Sequence, residues 1–341
     1  MKRIMVTGGA GFIGSNFIRM ILKLETEVKI INFDKLTYAG NPDNLKDFEG
    51  DSRHIFVKGD IADFQKVKDT LEKYDIDAII NFAAETHVDR SIMGAVDFIK
   101  TDVEGVYSLL EAARQRGGLK KFIQISTDEV YGSVEDGYSN EESQLLPRNP
   151  YSASKSGGDR IAYSFYATYG MPVIITRASN NYGPFQYPEK LIPLFISNAL
   201  ENKNLPLYGD GLNVRDWLYV DDHCSAVYFL LKNGKNGEVY NIGGGNLHTN
   251  IEITKTILTL LNKPLDLIKP VADRLGHDRR YALDSGKLEK LGWKTAMPFE
   301  KGMKQTVEWY VNNKEWWSRL KNSEFMEYYK KQYIEREKGK Q

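Results

Sequence analysis

Cysteine is nearly absent from this chain of 341 residues: Cys224 stands alone, so no internal disulfide can form. Histidine is scarce too, five in all, and no Cys/His cluster has the spacing of a zinc site, so no metal is expected. Charge of one sign is also lacking. Lys plus Arg and Asp plus Glu are each 46, so no bulk field draws the chain to nucleic acid or an anionic membrane. No apolar run approaches the ~20 residues that span a bilayer. Lys2 and Arg3 precede a short apolar stretch, but Gly8 and Gly9 interrupt it too early for a signal peptide. No internal repeat is present. What remains is an ordinary globular balance, 41% hydrophobic and 27% charged, which speaks against global disorder. The expectation is a soluble, cytoplasmic protein with no nucleic-acid or membrane partner.

Arg3 to Thr7 (RIMVT) reads as a short buried strand. Glycines follow, and then Phe12, Ile13, Phe17, Ile18, Ile21 and Leu22 recur at helical spacing. A second strand, Val28 to Phe33, ends in Asp34. Further strands are expected at His54–Lys58, Ala78–Phe82, Lys121–Ser126 and Val173–Thr176. Helical stretches lie between them at Val67–Tyr74, Val96–Arg116 and Ser152–Tyr169. This alternation predicts an α/β fold, a Rossmann-like doubly wound parallel sheet with ligands at the carboxyl ends of its strands. After Arg177 the chain turns rich in Asn, Pro, Tyr and Gly. A helix from Asp221 to Leu231, capped by Asp221 or Asp222, a strand Val239–Ile242 and a helix Asn250–Leu261 are expected there. His223 is expected at the surface and Cys224 in the core. The expected division is a dinucleotide domain over 1–176, with 216–240 returning to it. A smaller C-terminal α/β lobe for substrate spans 177–215 and 241–320. Residues 321–341 read as a charged, frayed tail.

Thr7 to Ser15 (TGGAGFIGS) joins the first strand to the first helix. Gly8, Gly11 and Gly14 let backbone N–H groups approach a pyrophosphate at the helix N-terminus, which Phe12 and Ile13 open. Asp34 lies twenty residues after Gly14, where a carboxylate takes a ribose hydroxyl and repels a 2′-phosphate; this favours NAD. Lys35 and Ala83, beside their strand ends, complete the expected cofactor set. Asp60-Ile61 either contacts the adenine or caps a helix. Tyr151 and Lys155 are four apart in YSASK, on one helical face. A tyrosine with a pKa near 10 must fall to about 6–7 to act as a base at neutral pH, a cost of roughly 4–5 kcal/mol. One cation at ~5 Å supplies about 3 kcal/mol at an effective dielectric of 20. Lys155 alone falls short, and Lys155 with an oxidised nicotinamide suffices. Without a dinucleotide fold around it, the same spacing would read as ordinary helix packing.

These segments resemble the extended short-chain dehydrogenase/reductases. STDEVYG (126–132), AAETHVDRS (83–91), RASNNYGPFQYPEKLIP (177–193), YGDGLNVRDWLYVDDH (208–223) and GHDRRYALD (276–284) narrow the resemblance to nucleoside-diphosphate-glucose 4,6-dehydratases, the dTDP-glucose branch in particular, over residues 1 to about 310. The resemblance implies catalytic roles for Thr127, Asp128, Glu129, Tyr151 and Lys155. It implies C4 oxidation, elimination of water across C5 and C6, and return of the hydride to C6. Two adjacent carboxyls past a strand end can serve as acid and base if burial and repulsion separate their pKa values. Without the resemblance they read as two solvated acids. It further implies that His87, Ser126, Asn180, Lys190, Leu191, Tyr208, Arg215, Asn250, Arg274 and His277 line the nucleotide sugar. Arg215 and Arg274 would face the pyrophosphate, and Tyr208 would stack on the base. For a loop Arg or Asn a surface role stays open, as does simple packing for His87. A homodimer is implied, pairing the helices 96–116 and 152–169. The apolar face of Phe98, Val103, Val106, Leu109 and Leu110 suits either that interface or the core. Two positions depart from the family pattern: Asp102 stands where Asn is usual, and Leu275 where Pro is usual. The alternatives are a dehydratase of another nucleotide sugar such as UDP-glucose, a UDP-sugar 4-epimerase, which needs no acid/base pair, and a non-catalytic nucleotide sensor, which would not need the retained Tyr151 and Lys155.

Overall fold

A computed structural model describes residues 1–335. Its strands are β1 (Arg3–Thr7), β2 (Lys29–Asp34), β3 (His54–Lys58), β4 (Ala78–Asn81), β5 (Lys121–Thr127), β6 (Val173–Ala178), β7 (Asn180–Tyr182), β8 (Leu205–Tyr208), β9 (Val214–Tyr219), β10 (Val239–Ile242), β11 (Leu247–Thr249) and β12 (Ile268–Val271). Seven of them form one parallel sheet in the order β10-β6-β5-β4-β1-β2-β3. Ile4 of β1 pairs with Ile30 of β2 on one side and Ala78 of β4 on the other. The strand order reverses between β1 and β4, and a crevice opens at their carboxyl ends.

Both faces of the sheet are covered, which is why its strands read as near-continuous apolar runs. On one face the helices Phe12–Leu24 and Val220–Asn233 bury Phe17, Ile18, Ile21, Val227 and Leu230. On the other, helices Phe64–Lys73, Val106–Arg116 and Pro150–Tyr169 bury Val67, Leu71, Leu109, Leu110 and Phe165. Each such fully buried side chain contributes about 1.5–3 kcal/mol. A separate core gathers Phe195, Trp217, Ile253, Tyr310 and Trp317 around the small sheet β11-β9-β7 and the pair β12-β8.

Several expectations shift. Residues 216–219 belong to β9 in the small sheet, and β10 carries the large sheet on to Ile242. Asp222 does not cap its helix; its carboxylate accepts the N–H groups of Ala296 and Met297 at 3.1 and 3.0 Å. Of the two readings open for the apolar face at 98–110, burial in the chain's own core holds for Phe98, Val106, Leu109 and Leu110, while Val103 is half-buried. The stretch from Val96 is not uniformly α-helical. A π-turn at Lys100–Gly105 separates Val96–Ile99 from Val106–Arg116. The start of the expected tail is ordered: Ser323–Tyr329 is a helix that buries Phe325 and Tyr328, and Tyr333 beyond it is buried as well. Apolar rings three to five residues apart outweigh the intervening charges. Residues 336–341 of that tail lie outside the described residues.

Candidate active site

The crevice above β1 and β4 is built by the glycine turn. Gly8 has φ +67°, and a Cβ there would meet the Ala83 nitrogen at 2.6 Å. The turn therefore presses against the end of β4, and the helix Phe12–Leu24 begins with no side-chain cap over its first N–H groups. A wall made by Gly8, Gly11, Phe12, Ile13, Gly14, Asp34, Lys35, Asp60, Ile61 and Ala83 runs to Tyr151 and Lys155 in one cavity. Asp34 accepts N–H bonds from Ala10 at 2.9 Å and Leu36 at 2.7 Å. Lys35 is paired with Asp60 at 2.7 Å. Asp60 also takes the Ala62 N–H at 3.0 Å, the hydrogen bond of a local turn.

At the far end of this cavity the sheet delivers three consecutive polar residues. β5 ends in Thr127, and a 3₁₀ turn at Asp128–Tyr131 swings both following carboxyls to the same side. The Thr127 hydroxyl donates to Asp128 at 3.1 Å and accepts the Glu129 N–H at 3.3 Å. Burial, reinforced by the Glu129 and Asp216 carboxylates, pushes the Asp128 carboxyl well above the usual range, which favours its protonated form. The Tyr281 hydroxyl lies 3.3 Å from Glu129.

Asn149 caps the helix that carries Tyr151 and Lys155, with a reciprocal bond from Ser152. Burial and the Glu129 and Asp102 carboxylates push the Tyr151 phenol up, and a hydrogen bond with Thr127 pulls it down. The Lys155 ammonium donates to the Ile125 carbonyl at 2.8 Å. Burial lowers its pKa, against the pull of Asp102 and Asp159. The lysine is thus fixed by the strand end and does not reach Tyr151 directly.

A second cavity opens from the first through Glu129, Asn180 and Lys190. His87, Leu191, Tyr208, Arg215, Asn250, Arg274 and His277 line it, while Ser126 lines the first. Arg215 is buried over the Tyr281 ring at 4.3 Å and donates to the Asp278 carbonyl at 2.9 Å. Burial, with Lys190, Arg90 and Arg274 nearby, keeps His87 neutral. Burial and the arginines also lower His277, to about 4, despite its 2.5 Å contact with Asp273. The buried atoms Ser126 Oγ, Asp128 Oδ2, Asn180 Oδ1, Asn250 Oδ1 and Arg274 Nε have no hydrogen-bond partner among the described residues, which is the signature of a site that takes polar ligand groups.

Some lining residues were missed in the sequence. His223 is buried against the first cavity, its ring nitrogen 2.9 Å from Asn181 Oδ1, because its helix packs onto Phe12–Leu24. Glu189 is buried and takes Tyr38 and Arg90 at 2.8 and 3.1 Å. Tyr333 lies beside the Tyr208 ring, 5.7 Å between centroids, and Gln332 donates to the Tyr208 hydroxyl at 2.6 Å. Aromatic spacing in YYKKQY was the available signal. Among the described residues no His/Cys/Asp/Glu group is arranged to hold a metal, and no helix is long and apolar enough to cross a membrane.

The family model described as GDP-mannose 4,6 dehydratase matches residues 5–306. A probable dTDP-glucose 4,6-dehydratase of Sinorhizobium fredii is 49% identical, covering 94% of this chain and 96% of its own. The structure of DesIV, a dTDP-glucose 4,6-dehydratase from Streptomyces venezuelae with NAD and dTDP bound, superposes with a TM-score of 0.91 at 48% identity, covering 93% of this chain and 99% of the other. A Thermus thermophilus UDP-glucose 4-epimerase with NAD follows at a TM-score of 0.85 and 28% identity, covering 91% and 99%. The glycine turn, the Tyr151–Lys155 helix and the carboxyl pair sit in a chain that matches dehydratases along nearly its whole length, and it belongs to the nucleotide-sugar 4,6-dehydratase family.

Proposed function

We propose that the chain is an NAD-dependent hydro-lyase that converts dTDP-glucose to dTDP-4-keto-6-deoxyglucose. The observation that carries this reading is the adjacency of Asp128 and Glu129 to Tyr151 in one cavity, which opens onto a second lined by Arg215 and Arg274. The residues present fit the cofactor: an uncapped helix N-terminus for a pyrophosphate, and a strand-end carboxylate for a ribose. NAD, when bound, supplies the hydride acceptor at the sugar C4 and the donor to C6. Gly8, Gly11, Gly14 and Asp34 would hold it.

With NAD bound, whose oxidised ring would favour the phenolate, Tyr151 would take the proton of the C4 hydroxyl. Lys155, held at the end of β5 by the Ile125 carbonyl, lines the same cavity. The C4 ketone acidifies the C5 hydrogen, which Glu129 removes as a proton and gives back to C5 once C6 has been reduced. Asp128, whose protonated form burial favours, gives its proton to the leaving C6 hydroxyl. Arg215 and Arg274 face the diphosphate, whose forked oxygens match guanidinium. Acid–base groups of this kind contribute about 10²–10⁴-fold each. Glu129→Gln should therefore oxidise C4 and accumulate reduced cofactor, with loss of water slowed by about 10²–10⁴-fold. Normal turnover by this variant would remove Glu129 from its assigned role.

We also propose a homodimer and a cytoplasmic location. Val96, Ile99, Tyr107, Tyr163 and Tyr169 are exposed on the stretch from Val96 to Arg116 and the neighbouring helix Pro150–Tyr169, and this supports an interface there. The single free thiol, Cys224, is buried, in keeping with a reducing compartment.

A further inference from the structure

Asp102 is a buried carboxyl that the reaction scheme leaves unused. It sits in the π-turn at Lys100–Gly105, 2% exposed. It joins three elements. One oxygen accepts the Glu85 N–H, in the loop after β4, at 3.1 Å. The other accepts the Ser154 hydroxyl, on the helix of Tyr151 and Lys155, at 2.6 Å. Its backbone carbonyl lies so near Gly158 that a Cβ there would meet it at 2.2 Å. The turn and the helix are therefore in direct backbone contact.

We propose that Asp102 is a positioning residue for the proposed reaction: its buried carboxylate fixes the Tyr151–Lys155 helix against the cofactor loop and places a negative charge beside that pair. An Asn at this position, usual in the family this chain resembles, would offer one acceptor oxygen and no charge. The carboxylate accepts from two donors on separate elements. The titratable groups that face it are Glu85 in the loop after β4, Lys155 and Tyr151 on the helix, and, one step further, Asp97 and Lys35 through Glu85 and Asp159 through Lys155. Burial raises the Asp102 carboxyl to about 6, and the Ser154 and Glu85 hydrogen bonds and Lys155 oppose that rise. It is then ionised at pH 7. Its charge raises the pKa of both Tyr151 and Lys155. Removing the charge lowers both, so the whole activity profile moves to lower pH.

This inference rests on the dehydratase reading. The test is the pH dependence of kcat with dTDP-glucose for the wild type, Asp102→Asn and Ser154→Ala, with thermal melting recorded for each. In Asp102→Asn both limbs should move to lower pH by about half a unit or more. Ser154→Ala keeps the carboxyl but removes a donor that favours its ionised form, and should move the limbs the same way by less. If Asp102→Asn does not fold, Ser154→Ala decides alone. A lower kcat with limbs at their wild-type positions would make Asp102 a packing residue and overturn the proposal. No turnover by the wild type would overturn both the proposal and the dehydratase reading, whereas turnover with unmoved limbs would overturn only the proposal.

Discussion

At the scale of the residue, environment decides which of two similar groups does what. Asp128 and Glu129 are chemically near-identical neighbours, yet burial, with Glu129 and Asp216 beside it, pushes the Asp128 carboxyl well above the usual range. Asp77 shows the opposite case. It accepts the N–H groups of Lys2 and Arg3 at 2.9 and 3.0 Å and the Lys120 ammonium at 2.7 Å. Its carboxyl is held far below the usual range by these bonds, which outweigh its burial. A depressed carboxyl stabilises the fold above its unfolded pKa, and that stability is lost as the pH falls through the folded value. Asp77→Ala should cost about 1–3 kcal/mol at pH 7, because two backbone donors lose their partner. Measured by urea unfolding, the difference from the wild type should shrink below about pH 4. An equal difference at both pH values would contradict this sign.

At the scale of the element, residues 328–333 pack beside the second cavity, which Tyr333 lines. Tyr333 and Gln332 pack on Tyr208, and Tyr328 meets the His87 ring edge-on at 5.3 Å. Tyr333→Ala should raise KM for the nucleotide sugar about three- to tenfold and leave bound NAD unchanged. An unchanged KM would place Tyr333 outside the substrate's reach. The sequence made some elements legible and others not. Strands β1, β3 and β10 are seen at their expected limits: β1 because a parallel strand buried on both faces leaves an unbroken apolar run, and the edge strands β3 and β10 because turn residues bound them. The aromatic end of the chain was hidden, since its rings alternate with charge and need a partner lobe to bury them. The π-turn was hidden as well. It lies where the Asp102 carbonyl comes close to Gly158, a tertiary contact that no local pattern announces. The glycine turn was legible because its spacing is dictated by backbone approach. The side chains that line the second cavity come from separate loops, and the resemblance, more than any periodicity, pointed to them.

At the scale of the whole molecule, one chain supplies both halves of the crevice. The large sheet brings the cofactor wall and the carboxyl pair, and the small lobe brings Arg215, Asn250 and Arg274 across from them. Exposed Val96 and Ile99 and the tyrosines on the flanking helix lead us to expect a dimer of about twice 38.9 kDa by sedimentation. A monomer at micromolar concentration would contradict that interface. The central claim is the chemistry, and mass spectrometry of the purified protein with dTDP-glucose and no added NAD tests it most directly. The account predicts a product lighter by one water, with no net cofactor reduction. A product of unchanged mass, with the C4 hydroxyl inverted, would contradict it and make the chain an epimerase.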